Sequence, residues 1–523
     1  MSLEEFLYNL HFNIDKAVPA EWEVDWDDAP LSYKLYLGLP AIPLSLEVPL
    51  TLEGREAFSK LDLYGIGHFL WYVFGITQFC ESVNSLDAEM DFMQSHRRFV
   101  PSGGALYPNE LYIYLKLENV PAGVYHYDVA HHRLVLLREG NFDSYISRAL
   151  CNQCHISDCF GTVFVSTMFW KNYFKYNDFS YRLQGLDAGV LIGQLLEVAK
   201  RFGLASGVYF QFLDRAINHL LGLSEQEESV YAVIPLSVEP TSNFADEIDT
   251  DAAFSSTDLC QELPAIQPVH DAQSRSVLEY QALTKMNEAS MMETTRSFRQ
   301  IKVEGNFECE GEAVALPHVK RMSYDLAEVC RKRFSPDIDF VLGKVSQLQL
   351  ATLLKEAMDS FSYRNDLDGL DQKEHEPRVS LYCCLYHIEG IPDGAYRYDR
   401  SAHALRRIQS GDFRLLLQSG LSGSNVNMFQ IPLCLHVGGS KDYFKTELGY
   451  RGYRIQQMEA GMLVQRILLA ASALDMGGHP LLGFAPKLCD EIYNMGRQGK
   501  TSLIQIPIGP YRQRPWLRGN LHS

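Results

Sequence analysis

Residues 121–142 read PAGVYHYDVAHHRLVLLREGNF and residues 392–413 read PDGAYRYDRSAHALRRIQSGDF; they align without a gap and share nine of 22 positions. Each reads as a turn leading into a strand. The offset of about 271 residues recurs. YRIQQMEAGMLVQRILLAA from Tyr453 matches the chain from Tyr181 at eight of 19 positions, and LIQIPIG from Leu503 matches YAVIPL from Tyr231. A repeat of this period is a duplicated domain rather than a solenoid.

The rest of each unit follows from local pattern. Residues 61–76 (LDLYGIGHFLWYVFGI) are apolar enough for a buried helix, GTVFVST from Gly161 reads as a strand, and 181–202 as a long helix stopped by Gly203. Strands and helices mix without strict βαβ alternation, which points to an α+β fold. Residues 1–60 read as an irregular, Pro-punctuated lead-in. The expected organisation is an N-terminal domain over 1–236, an acidic Ser/Thr/Pro-rich linker over 237–276, and a C-terminal domain over 277–523. Two linked copies can pack as an intrachain pseudo-dimer, which makes a monomer sufficient.

Composition narrows the function. At 523 residues, 46% hydrophobic and 21% charged, the chain is an ordinary globular protein, and its net charge of −18 argues against nucleic acid as a partner. The N-terminus carries acidic residues where a secretion signal needs basic ones, and no run of about eighteen apolar residues occurs, so a cytoplasmic protein without a membrane span is expected. Eleven cysteines form no evident disulfide framework. Cys151-Asn152-Gln153-Cys154-His155 has the spacing of a haem attachment or metal motif, but it reads equally as buried thiols at a helix end; no metal site is assigned.

The chemistry concentrates in PSGGALYPNE, residues 101–110. Two glycines behind Pro101-Ser102 allow the backbone to approach a flat or anionic ligand. With YHYD at Tyr125, KYNDFSYRLQGLDAG from Lys175 and RKRFSPDIDF from Arg331, this stretch resembles the FMN-dependent nitroreductase-like family, and within it the azoline dehydrogenases of the streptolysin and cyanobactin type in a tandem two-domain form.

That resemblance implies a duplicated nitroreductase-like fold, an antiparallel-type sheet flanked by helices, with FMN held between two protomers. One protomer supplies the Arg-x-Ser segment, a glycine-containing loop and basic C-terminal residues; its mate supplies the PSGG cradle. In this chain the motifs are divided. The first half keeps PSGG and Lys175-Tyr176 but shows no Arg-x-Ser in LTLEGREAFSKLDL. The second half keeps Arg333-Phe334-Ser335 but reads LDQKEHEP from Leu370 where PSGG would recur, and Glu447-Leu448 in place of Lys-Tyr. One composite site per chain is therefore expected.

By the same resemblance, Arg333 and Ser335 would hold the FMN phosphate, helped by Arg331 and by Arg512 and Arg514 of the tail. Pro101, Ser102, Gly103 and Gly104 would line the ring, and Leu481, Leu482 and Gly483 would pass its reactive edge. Lys175 and Tyr176 would be catalytic. Two departures stand out: Asp337 replaces the usual second arginine, and PNELY, residues 108–112, follows the cradle where apolar residues are commoner. Three readings compete: oxidation of thiazoline or oxazoline rings in a peptide substrate, with a peptide-modifying complex as partner; NAD(P)H-dependent reduction of nitro compounds or quinones; and a flavin-free scaffold.

Overall fold

The computed structural model describes residues 1–53, 61–84, 91–238, 253–271, 273–301, 311–359, 361–368, 377–513 and 517–520. Its frame is two seven-stranded antiparallel sheets of the same order. The first runs Ala41–Pro43, Arg133–Glu139, Gly123–Asp128, Asn109–Leu115, Gly161–Met168, Glu228–Ser237, Ala205–Ser206. The second runs Ala313–Ala315, Ala404–Ser410, Gly394–Asp399, Ser380–Leu385, Leu433–Ser440, Lys500–Gly509, Gly477–Gly478.

The duplication extends to irregularities that no periodic pattern encodes. In the first sheet the register slips at Leu137 and at Tyr231; in the second it slips at Ile408 and Leu503, 271 and 272 residues later. A bulge inserts one unpaired residue and bends its strand, so its recurrence at matched positions marks inherited geometry. The paired hairpins are pinned alike: the Tyr127 hydroxyl meets His132 Nδ1 at 2.8 Å and Tyr398 meets His403 at 2.8 Å, with φ of 47° and 46° at the two histidines.

Two long helices, Ser180–Arg201 and Arg451–Ala473, join the halves. Tyr181 stacks on Tyr453 at 6.3 Å, and Gly185, Gly189 and Gly193 meet Gln457, Met458 with Gly461, and Gln465. Matching residues therefore face each other every four positions, which requires the helices to run parallel about a pseudo-twofold axis. Contact is close enough to demand glycine: a Cβ on Gly189 would lie 2.0 Å from the Met458 carbonyl oxygen, and one on Gly461 would lie 2.1 Å from that of Leu186. Reciprocal arginines cross over. Arg182 donates to the Leu503 carbonyl at 2.6 Å, and Arg454 lies 4.5 Å over the Tyr231 ring, so each reaches the other half's bulged residue. One hydrophobic cluster runs through both halves.

Two expectations change. The lead-in contains the helix Leu3–Phe12, capped by Ser2 and tied to the second half through His11 Nε2 and Thr501 Oγ1 at 2.8 Å. Within the stretch read as a linker, the described residues from 253 onward are packed on the first half. Helix Ser256–Glu262 pairs Glu262 with Arg148, and His270–Asp271 forms a short ladder with Leu35–Tyr36. Acidic composition misled here because it resembles that of a free linker, whereas Leu259 buries its side chain fully. Cys151, Cys154 and Cys159 are buried in a secondary apolar cluster. No described helix is long and apolar enough to cross a membrane.

Candidate functional site

The glycine loop leaves the strand Asp91–Arg98 and turns sharply before Asn109–Leu115. Three of its residues are left-handed: Gly104 (φ 66°), Ala105 (φ 57°) and Tyr107 (φ 47°). Only glycine takes this conformation at no steric cost, so the other two are held by their contacts. Ser102 is the hub. Its hydroxyl donates to Asp187 Oδ2 at 2.6 Å and accepts the Tyr107 N–H at 2.9 Å, while its carbonyl accepts the Ala105 N–H at 3.0 Å. The Gly103 N–H donates to both Asp187 oxygens, at 3.1 and 3.2 Å.

Beneath the loop lies a buried charge cluster that accounts for Glu110. Its carboxylate pairs with Lys171 and accepts from His126 at 2.9 Å, and the Arg98 guanidinium sits 4.0 Å from the Phe74 ring and 4.6 Å from that of Tyr107. These cations hold Glu110 well below the usual carboxylate range despite the opposing effect of burial.

Lys175 and Tyr176 close over the loop. A Cβ on Gly104 would stand 2.5 Å from the Tyr176 hydroxyl and 3.0 Å from Lys175 Nζ. The Lys175 ammonium faces the rings of Trp26, at 5.2 Å, and Tyr176, at 5.0 Å, and has no carboxylate partner among the described residues. Burial pulls its pKa below the ordinary lysine value. Burial, with the nearby Asp187 charge, pushes the Tyr176 phenol up to about 12. The next residue, Asn177, holds φ 47° and ψ −140°, where the second half has Gly449 at 58° and −145°. Strain of this kind costs on the order of 1–3 kcal/mol and collects at functional sites.

The second half contributes Arg333, which is 4% exposed. Its Nη1 donates to Ser335 Oγ at 3.3 Å, but its buried Nε has no hydrogen-bond partner among the described residues. Burial lowers its pKa to about 10, the Arg97 charge adds to that, and the Tyr107 phenol opposes it. Arg97, from the first half, donates Nη2–H to the Arg333 carbonyl at 2.6 Å and lies 5.7 Å over the Phe334 ring. Two cations and the glycine loop's Tyr107 therefore converge from opposite halves.

A family comparison bears on this loop directly. Residues 81–236 match the model of the nitroreductase family. This segment is a nitroreductase-family domain. The whole chain also superimposes on the crystal structure of a protein classed as a nitroreductase from Anabaena variabilis, with a TM-score of 0.73 over 98% of this chain and 99% of that one, at 20% identity. At that identity the likeness shows the fold, a duplicated nitroreductase-like α+β architecture with antiparallel sheets. Among characterised sequences, the trifolitoxin-processing protein TfxB of Rhizobium leguminosarum bv. trifolii is 32% identical over 142 residues, 25% of this chain and 37% of that protein. A Methanocaldococcus jannaschii protein classed as a nitroreductase is 24% identical over 168 residues, 32% of this chain and 77% of that one. The chain thus spans well under half of TfxB.

Not every expected residue joins the nitroreductase-domain loop. Arg331 turns away and donates to the Leu50 carbonyl at 2.7 Å. Gly477 packs against Pro336 and Tyr511, and His479 Nδ1 meets the Pro336 carbonyl at 2.7 Å, which sets the turn after the second long helix beside the Arg-x-Ser segment. Leu481 exchanges backbone bonds with Gln505 at 2.7 and 3.2 Å, Leu482 is buried in the main core, and the Gly483 carbonyl accepts from Ser422 at 2.9 Å. Leu481 and Gly483 are thus held by backbone bonds of the second half, the half expected to supply this loop. Arg512 donates its N–H to Asp339 and exposes its side chain. Arg514, and residues 370–376 of LDQKEHEP, lie outside the described residues.

Sequence reasoning missed Arg97 and Asp187. Arg97 stands in the HRRF run just before the cradle and carries no motif of its own. Asp187 had a signal in the repeat: Asp187-Ala188-Gly189 aligns with Glu459-Ala460-Gly461. Glu459 is differently engaged, receiving Arg378 Nη2 at 2.6 Å and the Tyr363 hydroxyl at 2.7 Å, while Arg378 also pairs with Asp368.

Proposed function

We propose that this nitroreductase-family protein binds one FMN between its halves and oxidises thiazoline or oxazoline rings of a peptide substrate to azoles. The observation that carries the reading is Arg333, a buried cation with an orphaned Nε, set beside a second guanidinium from the other half. Burying a charge without a counter-charge costs several kcal/mol, and an anion supplied by a ligand would offset it. Guanidinium forks suit phosphate oxygens, so the donor set fits the phosphate of FMN. Ser335 would complete that end, and the loop 101–104 would approach the ring.

Bound FMN would supply the hydride acceptor. Lys175 Nζ would take the proton from the ring carbon that becomes aromatic, a role that its lowered pKa favours because more of it is neutral at a given pH. The Tyr176 phenol, protonated across the physiological range, would donate a hydrogen bond to the substrate ring. Trp26 and Tyr176 would exclude water around Nζ. In the second half Glu459, the equivalent of Asp187, is engaged by Arg378 and Tyr363, and this difference supports one cofactor per chain rather than two. The relation to a toxin-processing protein supports a biosynthetic substrate and partner enzymes. The Methanocaldococcus relative favours a second reading, NAD(P)H-dependent reduction of nitro compounds or quinones.

The test is a visible spectrum of the purified chain with flavin counted per polypeptide, followed by incubation with a thiazoline-bearing peptide. A yellow protein with one FMN and a product lighter by two hydrogens is expected. A colourless protein that takes up no FMN would sink the reading. Rapid NAD(P)H oxidation with quinones, indifferent to Lys175→Ala, would replace it with the second.

A further inference from the structure

We propose that Asp187 is the positioning residue of the glycine loop: by holding Ser102 and Gly103 together, its carboxylate sets residues 101–107 in the shape that would receive the cofactor. Its purpose rests on the flavin reading; its substance rests on the loop alone. Ala105 and Tyr107 keep left-handed backbones, and Ser102 accepts the N–H of each, while Arg98 and Lys171 hold the Tyr107 hydroxyl and carbonyl. Ser102 is in turn fixed by Asp187 from the long helix Ser180–Arg201. Remove that anchor and the residue that binds both strained N–H groups is no longer fixed.

The second half serves as an internal control. Glu459 occupies the matching helix position, is equally buried, and is spent on the Arg378 guanidinium and the Tyr363 hydroxyl. An acidic residue before Ala-Gly is therefore kept in both copies, and among the described residues Asp187 binds loop backbone whereas Glu459 binds side chains. Packing alone does not explain that difference, because both side chains sit on the same face of equivalent helices. The ionisable groups that face Asp187 are Tyr176, whose phenol its charge affects, and Lys175, which meets Tyr176 across Gly104. Burial pushes Asp187 up to about 6, partly offset by the Ser102 and Gly103 bonds, so the anchor's charge is lost on mild acidification.

Hydrogen–deuterium exchange on the full chain tests this without cofactor. In Asp187→Asn an amide N–H pair replaces one acceptor oxygen opposite the two donors, and exchange at Gly103 and through 101–107 should rise about ten- to hundredfold, the usual worth of a hydrogen bond to a charged group. The strand Asn109–Leu115 should exchange as before. Asp187→Glu, which keeps the charge, should recover part of the protection. In wild type, protection of the same amides, corrected for intrinsic rate, should be weaker at pH 5 than at pH 7.5, a comparison that stands even if the variants fold poorly. Equal protection in Asp187→Asn and wild type, or no pH effect in wild type, would overturn the proposal. Titration with riboflavin separates the two readings: a wild type that binds no flavin removes the proposed function and leaves the exchange result intact.

Discussion

Arg97 donates its guanidinium N–H to the backbone carbonyl of Arg333 at 2.6 Å, across 236 residues of sequence. The bond fastens the strand that feeds the glycine loop to the segment bearing Arg-x-Ser, and it places two like charges together. Burial and then the neighbouring Arg97 charge raise the cost of keeping Arg333 protonated. The candidate site thus draws on both halves of the chain.

Arg333→Met should therefore separate phosphate from ring recognition. FMN affinity is expected to fall about thirtyfold or more, since a buried charge-assisted contact is worth roughly 2–5 kcal/mol, while riboflavin, which lacks the phosphate, should bind nearly as before. The flavin-free variant should melt no lower than wild type, because the substitution removes an uncompensated buried charge. Fluorescence titration with both flavins and a thermal melt read out the three quantities. Equal losses for FMN and riboflavin would move Arg333 away from the phosphate.

The pseudo-twofold seam gives a prediction about assembly. Gly189→Ala improves helix propensity by about 1 kcal/mol, but its methyl would stand 2.0 Å from the Met458 carbonyl oxygen on a facing backbone that cannot rotate aside. Overpacking typically costs about 1–3 kcal/mol and should be larger at so short an approach. Loss of soluble, cooperatively melting protein is expected. Gly496→Ala, which meets nothing within 4 Å, is the matched control and should melt like wild type. Similar melts for the two would refute the close approach.

Much of this arrangement was legible from the repeat, and the reason is physical. Hairpins and long amphipathic helices write their period into sequence, so the matches at Tyr125 and Tyr396, and at Tyr181 and Tyr453, carried the fold. The bulges at Tyr231 and Leu503 were invisible, because an extra residue in a strand changes pairing without changing composition. Arg97 escaped because its role depends on a carbonyl 236 residues away. Asp187 escaped because an acidic residue in a helix reads as a solvated face unless its burial is known. Arg331 turned to the Leu50 carbonyl because motif position does not fix side-chain direction.

Lys175→Ala should leave the yellow colour in place and lower turnover by about two orders of magnitude or more, the usual contribution of a positioned base. Lys175→Arg keeps the positive charge near Trp26 and Tyr176 but cannot lose its proton, so it should be equally inactive. In wild type, kcat should rise with pH through a midpoint below that of a free lysine, as burial dictates, and that limb should vanish in both variants. A stopped-flow pH profile measures this, and retention of the limb in Lys175→Arg would assign the base elsewhere.

The charge on Asp187 has a thermodynamic signature of definite sign. In the fold its pKa is raised to about 6 by burial, against about 3.9 in the unfolded chain. The folded state therefore binds more protons between those values, and stability from this group is present in full below about pH 4 and lost as pH rises through about 6. The gap between the folded and unfolded values corresponds to roughly 3 kcal/mol at neutral pH. Asp187→Asn does not ionise, so it should unfold at higher urea than wild type at pH 7.5, with the gap closing as pH falls toward 4. Differencing against the variant is essential, because His270 and His436 are lowered to about 4 by burial and oppose the carboxyls over the same range. Higher stability together with a looser loop would mark Asp187 as a residue kept at the expense of the fold; a variant less stable than wild type at pH 7.5 would reverse the sign and remove burial as the dominant effect on this carboxyl.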